Sequence, residues 1–420
     1  MSNPFQFKNN RLFCEDVDIE NFAKTVPTPF YLYSKSEIIS NCQSVWEAAA
    51  GVDFQPCYAL KANYNPTLLK IIRENGFGAD IVSGGELFFA EKAGFPADSI
   101  VFAGVGKTDS EIIMAIKAGI HSINIESAQE MYKVAELAGQ ISRKQRIAIR
   151  VNPDIEAKTH EYISTGLHTN KFGVSTEEAY NLYLETKKFP QLIADSIHVH
   201  IGSQITEESP YLATADFLKS FINKLENQGI SIKGLDLGGG IGINYSNALT
   251  DKNAPRTYIN EILPHYIKAF GSLKVRMFVE LGRAIIGSAG LLISKVLIRK
   301  ETPLKKFMIV DAAMNNLIRP SLYQAKHEIV PVKNTQQKKI KADIVGPVCE
   351  SGDFLAKNLE IEDLSAGEFI AVGGAGAYGQ SQSTNYNLRP TIAEYLVDGS
   401  DIKCIFKGRS IQQIAENFEW

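Results

Sequence analysis

Cysteine, net charge and long apolar runs are all scarce in this 420-residue chain, and each scarcity removes a class of explanation. The five cysteines, Cys14, Cys42, Cys57, Cys349 and Cys404, are too scattered for a disulfide framework or a CxxC metal site, which fits a reducing cytoplasm. Lys and Arg together number 44 and Asp and Glu 47, for a formal net charge of -3. No electrostatic footprint therefore points to nucleic acid or an anionic membrane. The one basic cluster, Lys333, Lys338, Lys339 and Lys341 around Asn334-Thr335-Gln336-Gln337, reads as a solvated loop. No apolar run approaches the ~20 residues of a membrane span. The opening Met1-Ser2-Asn3-Pro4-Phe5-Gln6 lacks the apolar core of a signal peptide, so a cytoplasmic protein is expected.

What is present is the composition of a globular enzyme, 45% hydrophobic and 22% charged, in a chain long enough for a large domain and a smaller one. From residue 37 to about 285 one pattern repeats: a helix with apolar spacing, a turn often marked by Gly, then a short apolar strand. Strand cores read at 54–60, 79–82, 99–103, 121–125, 146–151, 196–201, 232–237 and 275–280. Helical segments such as 66–73 and 110–116 lie between them, and Ser83, three residues before Glu86, has the character of a helix cap. Eight βα units in about 250 residues predict an α/β fold with a closed (β/α)8 TIM-type barrel rather than an open doubly wound sheet.

After residue 285 the texture changes to strands at 291–298, 307–310, 340–345, 368–372 and 402–406, with a short helix at 411–415. This predicts a C-terminal β-sandwich or β-barrel domain over 286–420. Two β-like pieces within 1–36, at 11–14 and 29–33, have no evident local partner and are assigned to the same domain. The barrel at 37–285 is then an insertion within it.

The barrel is organised around Tyr58-Ala59-Leu60-Lys61-Ala62-Asn63, an apolar strand ending in one lysine. A lysine there would hold a desolvated amine over a pocket; desolvation favours the neutral amine, which condenses with an aldehyde. The structural alternative is a lysine that snorkels from a strand end. In such barrels the active site lies at the C-terminal ends of the strands, so the residues after each strand can be tested as a set. They are unusually polar: Lys61, Asp80 and Ser83, Arg150 and Asn152, His198-Val199-His200-Ile201-Gly202-Ser203-Gln204, the run Gly238-Gly239-Gly240, and Glu280-Leu281-Gly282-Arg283.

The glycine run falls after the seventh strand, where barrels commonly bind phosphate, and it lacks the spacing of a dinucleotide fingerprint. Glu280, at the end of an apolar strand, needs a partner. If the aldehyde on Lys61 belongs to pyridoxal phosphate, that partner is the ring nitrogen; an ion pair with Arg283 is the alternative. Only one of His198 and His200 is expected to face the lumen, and His200 is placed to stack on a planar cofactor with Ser203 reaching a phosphate. A metal is not expected, for want of ligands at metal spacing.

In order and spacing these motifs resemble the fold-type III pyridoxal phosphate decarboxylases, which share an alanine racemase-like barrel, and among them the diaminopimelate decarboxylase family. The resemblance runs over nearly the whole chain and includes 315–323, 346–353 and 376–387. One departure is Leu281, where the family usually has proline; Glu280, Gly282 and Arg283 remain in place.

The resemblance implies that Lys61 holds the cofactor, His200 stacks on its ring and Glu280 pairs with the ring nitrogen, with Asp80 also in the cofactor site. It places the phosphate on Ser203, the backbone of Gly238, Gly239 and Gly240, that of Glu280, Leu281, Gly282 and Arg283, and the Tyr378 hydroxyl. Arg283, Arg319 and Tyr323 would grip the substrate's distal carboxylate, Glu350 its distal ammonium, and Tyr378 also lines the substrate site. Cys349 would supply a proton in the barrel of a second subunit, so a homodimer with shared sites is implied. The implied reaction is decarboxylation of meso-diaminopimelate to L-lysine and carbon dioxide, the last step of lysine synthesis. Two guanidiniums for a carboxylate and an acid for an ammonium suit a substrate with an amino acid centre at each end. The rivals are an arginine, ornithine or carboxynorspermidine decarboxylase of the same group, and a catalytically silent regulator of the fold, which would be expected to have lost active residues.

Overall fold

In a computed structural model the described residues are 3–155, 171–271 and 273–420. They divide into two compact units: Met1–Ser40, Ile243–Thr257 and Ile285–Trp420 form one, and Asn41–Gly242 with Tyr258–Ala284 form the other.

The second unit is a closed barrel of eight strands, each hydrogen-bonded in parallel to the next. They are β1 (Phe54–Ala59), β2 (Gly78–Ile81), β3 (Ile100–Phe102), β4 (Ser122–Ile125), β5 (Gln145–Arg150), β6 (Leu192–His198), β7 (Gly234–Asp236) and β8 (Arg276–Leu281). Parallel strands are buried on both faces, which is why they read as short apolar runs. The connecting helices start and stop where local chemistry dictates. Asn65 caps Pro66–Glu74 by accepting from Thr67 N, and that helix buries Leu68, Leu69, Ile71 and Ile72. Ser83 caps Gly84–Ala93, and a reciprocal Thr108/Glu111 capping box opens Asp109–Ala118, which stops at left-handed Gly119.

The first unit holds a nine-stranded sheet and a three-stranded one. Phe30–Ser34 lies inside the larger sheet, antiparallel to Gly290–Glu301 on one side and parallel to Ala393–Asp398 on the other. Phe30, Leu32, Leu291, Ile293, Phe369 and Val397 meet in its core, where Phe22, Phe30 and Tyr395 pack edge to face at 5.0 to 5.5 Å.

Several expectations need correction. Arg11–Cys14 does have local partners: it pairs with Phe5–Lys8 and Val17–Asp18 in the three-stranded sheet. Lys339, read as part of the solvated loop, opens the strand Lys339–Val345, one residue before the expected start at 340. Ile243–Thr257, expected within the barrel, groups with the β unit. Arg256 forms a two-pronged ion pair with buried Glu37 at 2.6 and 2.7 Å, and Leu249 N donates to Glu328 at 2.7 Å. Strand 196–201 is shifted: β6 ends at His198, leaving His200 beyond it.

Candidate active site

Lys61 lies two residues past β1, in the helical turn Leu60–Ala62. The amine is not simply desolvated, as the sequence suggested. Its side chain is 36% exposed, and Nζ donates at 2.9 Å to Oδ2 of fully buried Asp80 on the adjacent β2. Burial pushes the Asp80 carboxyl up to about 8, with the charge of Glu280 acting in the same direction and Lys61 opposing both. Asp80 Oδ1 is buried and finds no hydrogen-bond partner among the described residues.

Glu280, on β8, is the neighbour of Cys57 in β1, so the acid and the lysine occupy the ends of adjoining strands. Its carboxylate is enclosed. Oε1 lies 3.3 Å from His198 Nε2 and accepts from Asn124 Nδ2 at 3.3 Å, and Oε2 lies 3.9 Å from His200 Nδ1. Burial alone would raise this carboxyl, but His198, Lys61 and His200 together outweigh it and hold it below the usual carboxylate range. Asp236, at the end of β7, behaves oppositely. Burial and then the charge of Glu280 push its carboxyl well up, although Asn124 Nδ2 and Gly238 N each donate to it at 3.1 Å. Of these two buried acids, Asp236 keeps the proton and Glu280 the charge.

The expectation that only one histidine faces inward is corrected. Residues two apart on an extended chain share a face, and both rings converge on Glu280. His200 Nδ1 accepts from Gly239 N at 3.2 Å, and burial holds its pKa well below the ordinary value, so the ring is neutral. The sequence also offered no metal-like spacing, yet three strand ends bring ligand atoms of His198, Asp236 and Glu280 within 4.8 Å of one another. Asn124 ties the two acids of that group together by hydrogen bonds.

The glycine run is explained by close approach. A Cβ on Gly239 would sit 1.9 Å from Glu280 O, and one on Gly238, at φ +64, would sit 2.2 Å from Val199 O. Two of the three amides expected to converge on an anion are engaged within the protein, Gly238 N with Asp236 and Gly239 N with His200. Arg283 Nη2 donates to Ser203 Oγ at 3.1 Å. Leu281 is buried and pairs with Tyr58, so β8 runs on through the position where the family pattern has proline. Arg150 holds Glu126 at 2.7 Å, and both are buried.

The other expected residues lie in the β unit, where three motifs converge. Ser321 Oγ donates to Gly352 O at 2.5 Å, joining the helix Arg319–Tyr323 to the turn that carries Cys349 and Glu350. Cys349 is exposed, and its N donates to Asn387 Oδ1 at 2.8 Å. Asn315 Nδ2 donates to Thr384 O at 3.3 Å, bringing in the segment that begins near Tyr378, itself at φ +56. Asn124 and Asp236 were missed from sequence. The available signal was a polar side chain inside an apolar strand, as in Ser122-Ile123-Asn124-Ile125.

Residues 35–287 match the family described as "Pyridoxal-dependent decarboxylase, pyridoxal binding domain". Over 415 residues the chain is 45% identical to the diaminopimelate decarboxylase of Aquifex aeolicus, an alignment covering 99% of this chain and 97% of the relative. The chain belongs to the diaminopimelate decarboxylase family. Two solved members extend the likeness to three dimensions. The Helicobacter pylori enzyme complexed with L-lysine has 38% identity and a TM-score of 0.89, covering 95% of this chain and 98% of that one. The M. jannaschii enzyme in co-complex with L-lysine has 32% identity and a TM-score of 0.91, covering 100% and 99%. The barrel residues suit the family's pyridoxal cofactor: an amine beside a buried acid with one unbonded oxygen, an enclosed carboxylate on the adjoining strand, and a backbone cradle that any side chain at 238 or 239 would obstruct.

Proposed function

We propose that this chain decarboxylates meso-diaminopimelate to L-lysine and carbon dioxide with pyridoxal phosphate held by Lys61. The observation that carries the reading is the pairing of Lys61 with Asp80 beside the anionic Glu280 on adjoining strands, in a chain 45% identical to a diaminopimelate decarboxylase over nearly its whole length. Bound there, pyridoxal phosphate supplies the electron sink that lets an amino acid lose carbon dioxide. Asp80 orients the Lys61 amine. Glu280, kept charged chiefly by His198 and Lys61, would pair with the ring nitrogen, and the neutral imidazole of His200 would lie against the ring. Ser203, the 280–283 backbone, Gly240 and the Tyr378 hydroxyl would take the phosphate, while Gly238 and Gly239 would contribute chiefly by lacking side chains.

Arg283, Arg319 and Tyr323 are assigned to the distal carboxylate of the substrate and Glu350 to its distal ammonium. Cys349 delivers a proton to the carbon that loses carboxylate, serving the barrel of a partner subunit in a homodimer. A cytoplasmic setting suits its exposed free thiol. Among the described residues no helix is long and apolar enough to cross a membrane. The test is carbon dioxide release from purified protein offered meso-diaminopimelate, arginine, ornithine and carboxynorspermidine in parallel. Release from the first alone is expected; release only from one of the others would replace the substrate, and release from none would remove the activity.

A further inference from the structure

His327 is 5% exposed, and each of its ring nitrogens faces a partner that can play only one part. Nδ1 is 2.8 Å from the carbonyl oxygen of Gly373, which can only accept, so Nδ1 carries a hydrogen. Nε2 is 2.7 Å from Arg319 Nη1, and a guanidinium can only donate, so Nε2 carries a lone pair. The imidazole is therefore neutral and fixed as the Nδ1–H tautomer. Tyr245 supports both groups: Arg319 Cζ lies 4.6 Å from its ring centroid, and His327 meets the ring edge on at 4.9 Å and 74°. The acid next in the chain, Glu328, is turned to Leu249 N and to the Thr250 amide and hydroxyl.

A buried guanidinium is most often aimed by a carboxylate, which also offsets its charge. A neutral imidazole aims it without subtracting charge. We propose that His327 is a positioning residue that holds Arg319 toward a substrate carboxylate through an uncharged contact, and so favours substrates that carry an acid at their distal end. The inference rests on the assignment of Arg319 to the distal carboxylate given above.

The test compares holoenzyme variants at this position. His327→Leu removes the acceptor, His327→Gln keeps a neutral one, and His327→Glu keeps an acceptor but adds negative charge. Loss of one charge-assisted hydrogen bond should raise KM for meso-diaminopimelate by about tenfold or more in the Leu variant, with kcat within about threefold of the parent. Gln should restore KM. Glu should raise it despite accepting the same bond, and should erode preference over L-lysine, which lacks the distal carboxylate. On the unmutated protein, two-bond hydrogen–nitrogen correlation of 15N-histidine should show His327 bare at Nε2, a readout independent of whether any variant folds. A protonated Nε2 would overturn the proposal, as would an unchanged KM in the Leu variant or a Glu variant as good as Gln. Arg319→Met separates the two layers. If it leaves KM unchanged, the assignment of Arg319 fails; if it raises KM while His327→Leu does not, only the role of His327 fails.

Discussion

Glu280→Gln changes one oxygen to an amide, keeps the side chain's shape, and removes the charge at the centre of the barrel site. The carboxylate is met by His198 and Asn124 at 3.3 Å and by His200 at 3.9 Å, all within the barrel interior, so water cannot replace what is lost. A hydrogen bond to a charged group is worth about 1.5–3 kcal/mol, and each ~1.4 kcal/mol is tenfold in rate, so a single lost contact predicts a slowing of roughly 10- to 150-fold. A donor or acceptor preorganised in a closed site is worth more, ~10²–10³ in turnover, and about 10² or more is the expected outcome. The assay is carbon dioxide release at saturating meso-diaminopimelate, with KM measured alongside. KM should change little, because Glu280 is assigned to the ring nitrogen and not to the substrate. The visible absorbance of the bound cofactor should also shift its pH dependence. Turnover within about threefold of the parent, with an unaltered spectrum, would show that Glu280 serves only the packing of the strand ends.

Replacing Lys61 with alanine should abolish both the visible absorbance of bound pyridoxal phosphate and borohydride trapping at that position; an adduct elsewhere with retained colour would contradict the assignment. Gly239→Ala places a Cβ 1.9 Å from Glu280 O and should cost about 1–3 kcal/mol of stability together with cofactor affinity. An unchanged melting temperature and cofactor Kd would refute the close-approach argument. His121 stands just before β4, its ring tilted against Phe278 at 4.4 Å, and burial, reinforced by Arg146 and Arg276, pushes its pKa down to about 4. The unfolded chain therefore binds a proton that the folded chain refuses between about pH 6.5 and 4, so stability is full above that window and falls as pH drops through it. After discounting for partial exposure the loss is about 1–2 kcal/mol. The Tm of the parent should fall more steeply over that window than that of His121→Phe, and parallel curves would sink the assignment.

The barrel was legible because each strand is a short apolar run between capped helices, and all eight cores in the sequence overlap the observed strands. The β unit was less so. Phe354–Glu362 was missed because Lys357, Asn358 and Glu360 interrupt its pattern and Asn358 takes φ +53, where the ladder is irregular. Ala393–Asp398 begins Ala393-Glu394-Tyr395, which hides a strand whose Glu394 is buried against the Tyr33 hydroxyl. In the barrel site, residues ending an apolar run could be named from the sequence. The partners that set their charge could not, because Asn124 stands 112 residues from Asp236 and 156 from Glu280 and meets them only when the barrel closes.

The position of Phe30–Ser34 between Gly290–Glu301 and Ala393–Asp398 bears on how the chain is made. During synthesis every barrel strand has emerged before either flank of this early strand exists, so the barrel can close while Phe30–Ser34 waits with both backbone edges open. Open edges invite pairing with other nascent chains. Premature termination between 285 and 392 should therefore yield aggregates built on an intact barrel, and no single cut can free the β unit from it.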